Sequence, residues 1–402
     1  MIKRISIDKL RPEMYVSDLN CDWIPHHTLQ KEGRIPNDTI IEQIKLRGIK
    51  EVYIDTDRGL DEDDAFTQSE IEQQNQTKLD KAGAQNMAHV GSVTVEEELF
   101  KAHKLQEKAK SIMTGVLSDV KFGKPLATEV FDELADGMID SVMRNHNALA
   151  CLGRIRQKDN YLMEHSINLA VLMGIFAKAM SIDRETMQQV MVGALLHDIG
   201  KIMVPDNILH KPGKLNDDEF ARMKQHVVFS REILKKTPGI HPLTVDVAAQ
   251  HHERIDGSGY PEGLMGCDIC REGKMVAITD IYDAITADRC YHKGLPPTVA
   301  LKKLLEWSGT HLEAKLVHTF IRSMGIYPVG SLVMMESGRL AVVIESSEKD
   351  QTRPIVKVIY HSRLKQYIPA EIIDLSKPIS QDSIKISIDA DKWRIKTADF
   401  LF

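Results

Sequence analysis

The residues of this chain with the clearest chemical potential are five histidines and two aspartates in ordered succession: His165, His197-Asp198, His226, His251-His252 and Asp280, with a further imidazole pair at His26-His27. Neutral imidazole nitrogens and carboxylate oxygens are ligands for Fe, Mn, Zn or Co. From His165 to Asp280 the steps are 32, 28, 25 and 28 residues. Each step is about one helix plus one connection. A helical bundle with that spacing can bring one donor from each helix to a common level, where metal sites in bundles are built. Seven N/O donors exceed the four of a single tetrahedral zinc. They suit two ions about 4 Å apart, with the two oxygens of Asp198 as the bridge. Such a pair holds a hydroxide at neutral pH that can attack phosphorus in line, while the cations neutralise the developing charge. Lys201, one turn after Asp198, is within reach of a phosphate oxygen or a metal-bound ligand.

Two further stretches belong to this group. The loop Asp256-Gly257-Ser258-Gly259-Tyr260-Pro261 closely follows the second His pair. Its glycines stop the helix and let backbone amides approach a ligand, and Tyr260 can stack on a flat group or donate a hydrogen bond. After Asp280, a helical register puts Asp283 or Ala284 on the same face. Arg289 then falls near the helix end, where a guanidinium suits bidentate grip of a phosphate or a guanine edge. Lys293 fits either that grip or a solvated salt bridge. His26-His27 lies in a polar stretch after Pro25 and reads as a loop. Cys267-Asp268-Ile269-Cys270 has no second pair and no βαβ context, and reads as incidental cysteines.

The elements that must position these residues are mostly helical. The chain has 402 residues, 43% hydrophobic and 27% charged, which is the composition of an ordinary globular protein. Its net charge of −6 argues against DNA as a partner. Five scattered cysteines and no apolar leader fit a reducing cytoplasm. The longest apolar stretch, Ile167 to Ala177, is too short for a membrane span. Residues 1–60 form a small α+β domain, with short strands near Ile2–Ile7, Met14–Val16 and Glu51–Asp55 and a helix at Asn37–Leu46. Residues 61–93 read as a polar linker. Residues 94–149 read as connecting helices opened by a capping box at Thr94 and Glu97. They are able to pair with each other, with a second copy of the chain or with a signalling partner. Residues 150–328 form a mainly α, helical-bundle domain, and 329–402 a small β-rich extension.

His197-Asp198-Ile199-Gly200-Lys201, together with His251-His252-Glu253, Asp256-Gly257 and Gly259-Tyr260-Pro261, resembles the HD-GYP domains of the HD metal-dependent phosphohydrolases. The resemblance covers roughly residues 150–345. The first 60 residues are similar, more loosely, to a small domain often fused ahead of bacterial HD-GYP domains. The resemblance implies a phosphodiesterase that cuts a cyclic dinucleotide, cyclic di-GMP to linear pGpG, or cyclic GMP-AMP. It also implies metal ligands at His165, His197, Asp198, His226, His251, His252 and Asp280. Lys201 would assist at the phosphate, and Tyr260, Arg289 and Lys293 would hold the nucleotide. Family members with three metals carry a Glu one turn before the first His; here that position is Tyr161, and Glu164 points elsewhere. The expectation is therefore two divalent ions, Fe or Mn, and pGpG as the main product. The segment after Arg289 reads Cys290-Tyr291-His292-Lys293 where Pro-Tyr and a basic residue are usual, so grip of the substrate is expected to differ. The competing reading is a catalytically weak nucleotide-binding module that signals through a protein partner. A mononucleotide hydrolase fits the Gly-Ser-Gly-Tyr-Pro loop poorly.

Overall fold

The computed structural model describes residues 1–24, 32–83, 93–155, 161–211, 213–288, 293–347 and 350–401. The chain divides into two compact units. One is Met1–Lys78 with Asp206–Met223, and the other is Leu79–Pro205 with Lys224–Phe402.

The first unit contains strands β1 (Ile2–Ser6), β2 (Tyr15–Asp18), β3 (Gly33–Arg34), β4 (Glu51–Asp55) and β5 (Phe66–Thr67), joined in the order β3-β2-β4-β1-β5. Helix α1 (Asp38–Lys45) starts where the Asn37 side chain accepts from the Ile40 amide at 3.3 Å and stops before Gly48, whose φ is +77°. Ile41 and Ile44 on α1 share a core with Ile5, Val16, Val52 and Ile54 from the sheet. His26-His27 lies outside the described residues.

The stretch expected as a polar linker carries a helix, α2 (Gln68–Gly83). Ile71, Asn75, Leu79 and Ala82 are buried along it. That single row, at steps of four, four and three, is enough to bury one edge of a helix. Between these positions the residues are polar, so composition alone hides the periodicity.

In the second unit, α3 (Val95–Lys121) opens with the expected capping box: Thr94 Oγ accepts from the Glu97 amide at 3.3 Å, and Glu97 accepts from the Thr94 amide at 2.8 Å. Next comes α4 (Glu129–Gly153), which breaks at Asn145, where φ is −159° and ψ 104°. The Asn145 side chain takes up the interrupted ladder by accepting from the Asn147 amide at 3.0 Å and donating to Val93 O at 2.9 Å. Glu98 and Arg144 join α3 to α4 through two hydrogen bonds of 2.6 and 2.8 Å.

The centre of the bundle is α5 (Tyr161–Ala179), apolar nearly all round and buried from Met163 to Ala177. Around it pack α4, α6 (Arg184–Leu196), α10 (Arg271–Thr286) and α12 (Ala314–Met324). Short α7 (Asp206–Leu209), α8 (Asp217–Lys236), α9 (Pro242–Gln250) and α11 (Pro297–Trp307) complete the helices of the described residues. No helix among them is long and apolar enough to cross a membrane.

The C-terminal strands β6 (Leu332–Met335), β7 (Arg339–Glu345), β8 (Ile355–His361), β9 (Gln366–Asp374) and β10 (Ile384–Ile388) form an antiparallel sheet in the order β10-β6-β7-β8-β9. Leu332, Leu340 and Val342 face one core, and Val333, Ala341 and Val343 the other, by the twofold alternation of strands. The middle strands of the β-rich extension thus have both faces covered. Strand β9 carries no clear strand signal in its sequence: it is largely exposed and contains Pro369, which an edge position tolerates.

Candidate metal centre

Five helices deliver the donors. His165 stands on α5, His197 caps the end of α6 and Asp198 follows it. His226 is on α8, His251 caps the end of α9 with His252 next, and Asp280 is on α10. All seven are buried. Three overlapping groups have their ligand atoms within 4.8 Å of one another: His165, His197 and Asp280; His197, Asp198 and His251; His226, His251 and His252. The structure therefore brings together every donor selected from the sequence.

The local geometry sets the lone pairs. His197 Nδ1 lies 2.8 Å from Ala194 O, and His251 Nδ1 2.7 Å from Ala248 O. Each ring caps its own helix end through an Nδ1–H, leaving Nε2 as an acceptor. His165 Nδ1 is held by Asp283 Oδ2 at 2.7 Å in the same way. The other ring nitrogens then converge: His165 Nε2 is 3.2 Å from His197 Nε2 and 3.2 Å from Asp280 Oδ1, and His226 Nε2 is 3.4 Å from His251 Nε2. Ring nitrogens this close in a buried site call for a shared proton or a cation.

Asp198 occupies the middle. Its Oδ1 lies 3.3 Å from His226 and 3.9 Å from His251, and its Oδ2 lies 3.1 Å from His197 and 2.6 Å from Lys201. Each oxygen thus faces a different half of the cluster. The Asp198 Oδ1 and His252 Nδ1 atoms are buried without a hydrogen-bond partner. Buried polar atoms without a partner, on a convergent set of N and O groups, are what a bound divalent cation would satisfy. The donor set thus fits such a group.

The electrostatics favour the ligating form at Asp198, Asp280, His251 and His252. Burial opposes ionisation of Asp198, but His197 and Lys201 outweigh it and hold the carboxyl well below its usual range. Asp280 is likewise lowered, against burial, by its hydrogen bond to His165. Burial, assisted by the neighbouring imidazoles, pushes His251 and His252 well down. They stay neutral, which is the form that ligates metal. His165 is pushed up to about 9: burial works against the proton, but Asp280 and Asp283 more than compensate.

Asp283 is a site residue that sequence reading does not assign to the ligand set, although its position three after Asp280 on α10 is an available signal. It orients His165 with one oxygen and accepts from Asn168 Nδ2 with the other. A carboxylate behind a ligand imidazole fixes its tautomer and raises its basicity. Asp283→Asn is expected to lower metal affinity or turnover by about 10- to 100-fold, read by metal titration and initial rates. An unchanged affinity and rate would remove Asp283 from the site.

The loop after His252 is fastened at both ends. Glu253 accepts from the Glu262 and Leu264 amides, each at 2.9 Å. Asp256 Oδ1 accepts from Ser258 N at 3.2 Å and Ser258 Oγ at 2.6 Å. At Gly259 any Cβ would stand 2.4 Å from Arg254 N and 2.6 Å from His252 O, so the chain can fold back on itself only without a side chain. Tyr260 is thereby laid beside His252, ring centroids 4.6 Å apart. Burial raises its phenol well above the usual value, so it remains a donor.

The remaining selected residues lie differently. Arg289 falls outside the described residues. Lys293 is exposed and pairs with Asp391 at 2.5 Å. Glu164 points away from the cluster, its carboxyl 4.0 Å from Lys110, and the side chain of Tyr161 is not among those described. Cys270 has a local role as the cap of α10, accepting from the Gly273 amide at 3.2 Å, while Cys267 is exposed.

A buried His/Asp cluster carried by the helices of a bundle defines an HD-type domain, and a family model described as HD domain matches residues 148–316. Another, described as a domain of unknown function (DUF3391), matches residues 2–131. Cyclic di-GMP phosphodiesterase PA4108 of Pseudomonas aeruginosa is 35% identical to this chain, covering 99% of it and 95% of the relative. The 3'3'-cGAMP-specific phosphodiesterase 2 of Vibrio cholerae is 42% identical over 31% of this chain and 24% of its own length. The cyclic di-GMP phosphodiesterase of Thermotoga maritima is 34% identical over 49% of this chain and 52% of its own. The chain belongs to the HD-GYP family.

Proposed function

We propose that this protein is a metal-dependent phosphodiesterase that opens a cyclic dinucleotide by hydrolysing one of its two phosphodiesters, cyclic di-GMP to linear pGpG, with cyclic GMP-AMP as the related substrate. The observation that carries this reading is Asp198, a buried carboxylate with each oxygen directed to a different half of a seven-donor cluster. The near full-length likeness to a protein named as a cyclic di-GMP phosphodiesterase supports the substrate class.

The ligand set would be His165, His197, Asp198, His226, His251, His252 and Asp280, holding two divalent ions, Fe or Mn. When bound, such ions supply Lewis acidity at a phosphoryl oxygen and a water acidic enough to serve as nucleophile near neutral pH. The chain's own residues do the rest. His197 and His251 are locked in one tautomer by their helix ends and Asp283 orients His165, so little reorganisation is needed on binding. Lys201, its ammonium 2.6 Å from Asp198, would follow the charge that develops on the phosphoryl oxygens. Tyr260 would stack on a base or donate its hydroxyl at the mouth, and Arg289 would grip phosphate or guanine. On this reading the catalytic domain is 150–328, following in sequence the domain of 1–60 and the connecting helices of 94–149.

The test combines metal analysis of protein purified without oxygen with assays on cyclic di-GMP and cyclic GMP-AMP, before and after chelation. Turnover that chelation abolishes and Fe(II) or Mn restores is expected. Metal-loaded protein that leaves both cyclic dinucleotides intact would refute the reading.

A further inference from the structure

We propose that Lys224 binds the phosphodiester of the substrate that is not being cut. The inference deepens the cyclic-dinucleotide reading above and rests on it. Such a substrate carries two phosphates across one macrocycle. A metal centre neutralises the one under attack. The other must leave water beside protein, and an anion so placed needs a cation of its own.

Lys224 is in position for that. It lies on α8, two residues before His226, so the two side chains leave the helix on different faces. The long lysine stem nevertheless carries Nζ to 5.7 Å from the centroid of the Tyr260 ring, within cation–π range. The Tyr260 ring lies 4.6 Å from that of His252. His252 is buried, whereas Tyr260 and Lys224 are half-buried. The Tyr260 ring thus has the His252 imidazole of the donor cluster and the Lys224 ammonium both beside it. A base on Tyr260 with its phosphate on Lys224 would continue a ring whose other phosphate sits at the cluster. Lys293, one of the two cations suggested by resemblance, pairs with Asp391.

The experiment uses the metal-loaded full chain with Lys224→Met and Lys224→Arg. Substrates are cyclic di-GMP and bis(p-nitrophenyl) phosphate, a diester with one phosphate. For Lys224→Met, KM for cyclic di-GMP should rise about tenfold with kcat kept within about twofold. Lys224→Arg should recover most of that loss, and the salt dependence of KM should weaken in the methionine variant. The loss of kcat/KM on the one-phosphate diester should be several-fold smaller. Equal losses on both substrates, or an unmoved KM for cyclic di-GMP, would overturn the proposal. Unaltered protein that binds cyclic di-GMP without cleaving it would defeat only the hydrolytic reading, and the Kd of the two variants would then decide Lys224. Unaltered protein that cleaves the simple diester but neither binds nor cleaves cyclic dinucleotides would defeat both.

Discussion

Asp198→Ala should empty the centre and cut turnover by on the order of 10³-fold or more. Its two oxygens lie 3.1 Å from His197 on one side and 3.3 Å from His226 on the other. On the proposed reading, removing this carboxylate would cost both halves of the cluster a donor at once. It also leaves Lys201 without the anion 2.6 Å from its ammonium, and a half-buried cation that loses its counter-charge adds to the loss. The measurement is metal content per chain together with the steady-state rate. Asp198→Asn gives the finer comparison, because the amide keeps the volume and one acceptor oxygen while removing the charge. A variant that keeps the metal content and turnover of the unaltered protein would remove Asp198 from the proposed ligand set.

The second large effect is expected at a residue with no side chain. Gly200 sits in the 3-10 turn Ile199–Met203 that follows the His-Asp pair. Its amide donates to Ser230 Oγ at 2.9 Å. A Cβ there would meet His226 O at 2.2 Å and Ser230 N at 2.4 Å, both backbone atoms of α8. Backbone in the middle of a helix cannot step aside as a flexible side chain can. Gly200→Ala should therefore push α8 away from the turn, at a cost of about 3 kcal/mol. The same displacement moves His226 relative to Asp198, and a shift of about 1 Å at a reacting centre costs on the order of 100-fold in rate. Thermal unfolding reads the first effect, and activity well below the melting temperature reads the second. If both are unchanged, the approach of the turn to α8 is not a constraint on the site.

Gly200 is visible in the sequence beside the His-Asp pair, but nothing in its neighbours says that α8 passes within van der Waals contact. Asp283 is visible as a residue one turn beyond Asp280, yet a carboxylate at that position could equally face solvent. Its role emerges only from the packing of α5 against α10, which puts Asn168 and His165 on the facing side. Lys224 is invisible in principle, since a lysine two residues from a ligand belongs on another face of its helix. Only the fold of the Gly259-Tyr260 loop brings an aromatic ring to meet it. Helix α2 is hidden because its buried row is one residue wide, and strand β9 because an exposed edge strand has no apolar face to announce it.

What this chain's sequence determined by itself is the chemistry: donor types, their order, and a spacing that assigns each to its own helix. Donor type follows from the residue, and the helical period of about 3.6 follows from the backbone, so neither depends on distant parts of the chain. What only the tertiary structure decided is which oxygen of Asp198 meets which imidazole, which groups stand behind the ligands, and which cations attend the mouth. Those are contacts between residues tens of positions apart. They are set by how the apolar α5 is buried among α4, α6, α10 and α12, a packing that no local pattern encodes.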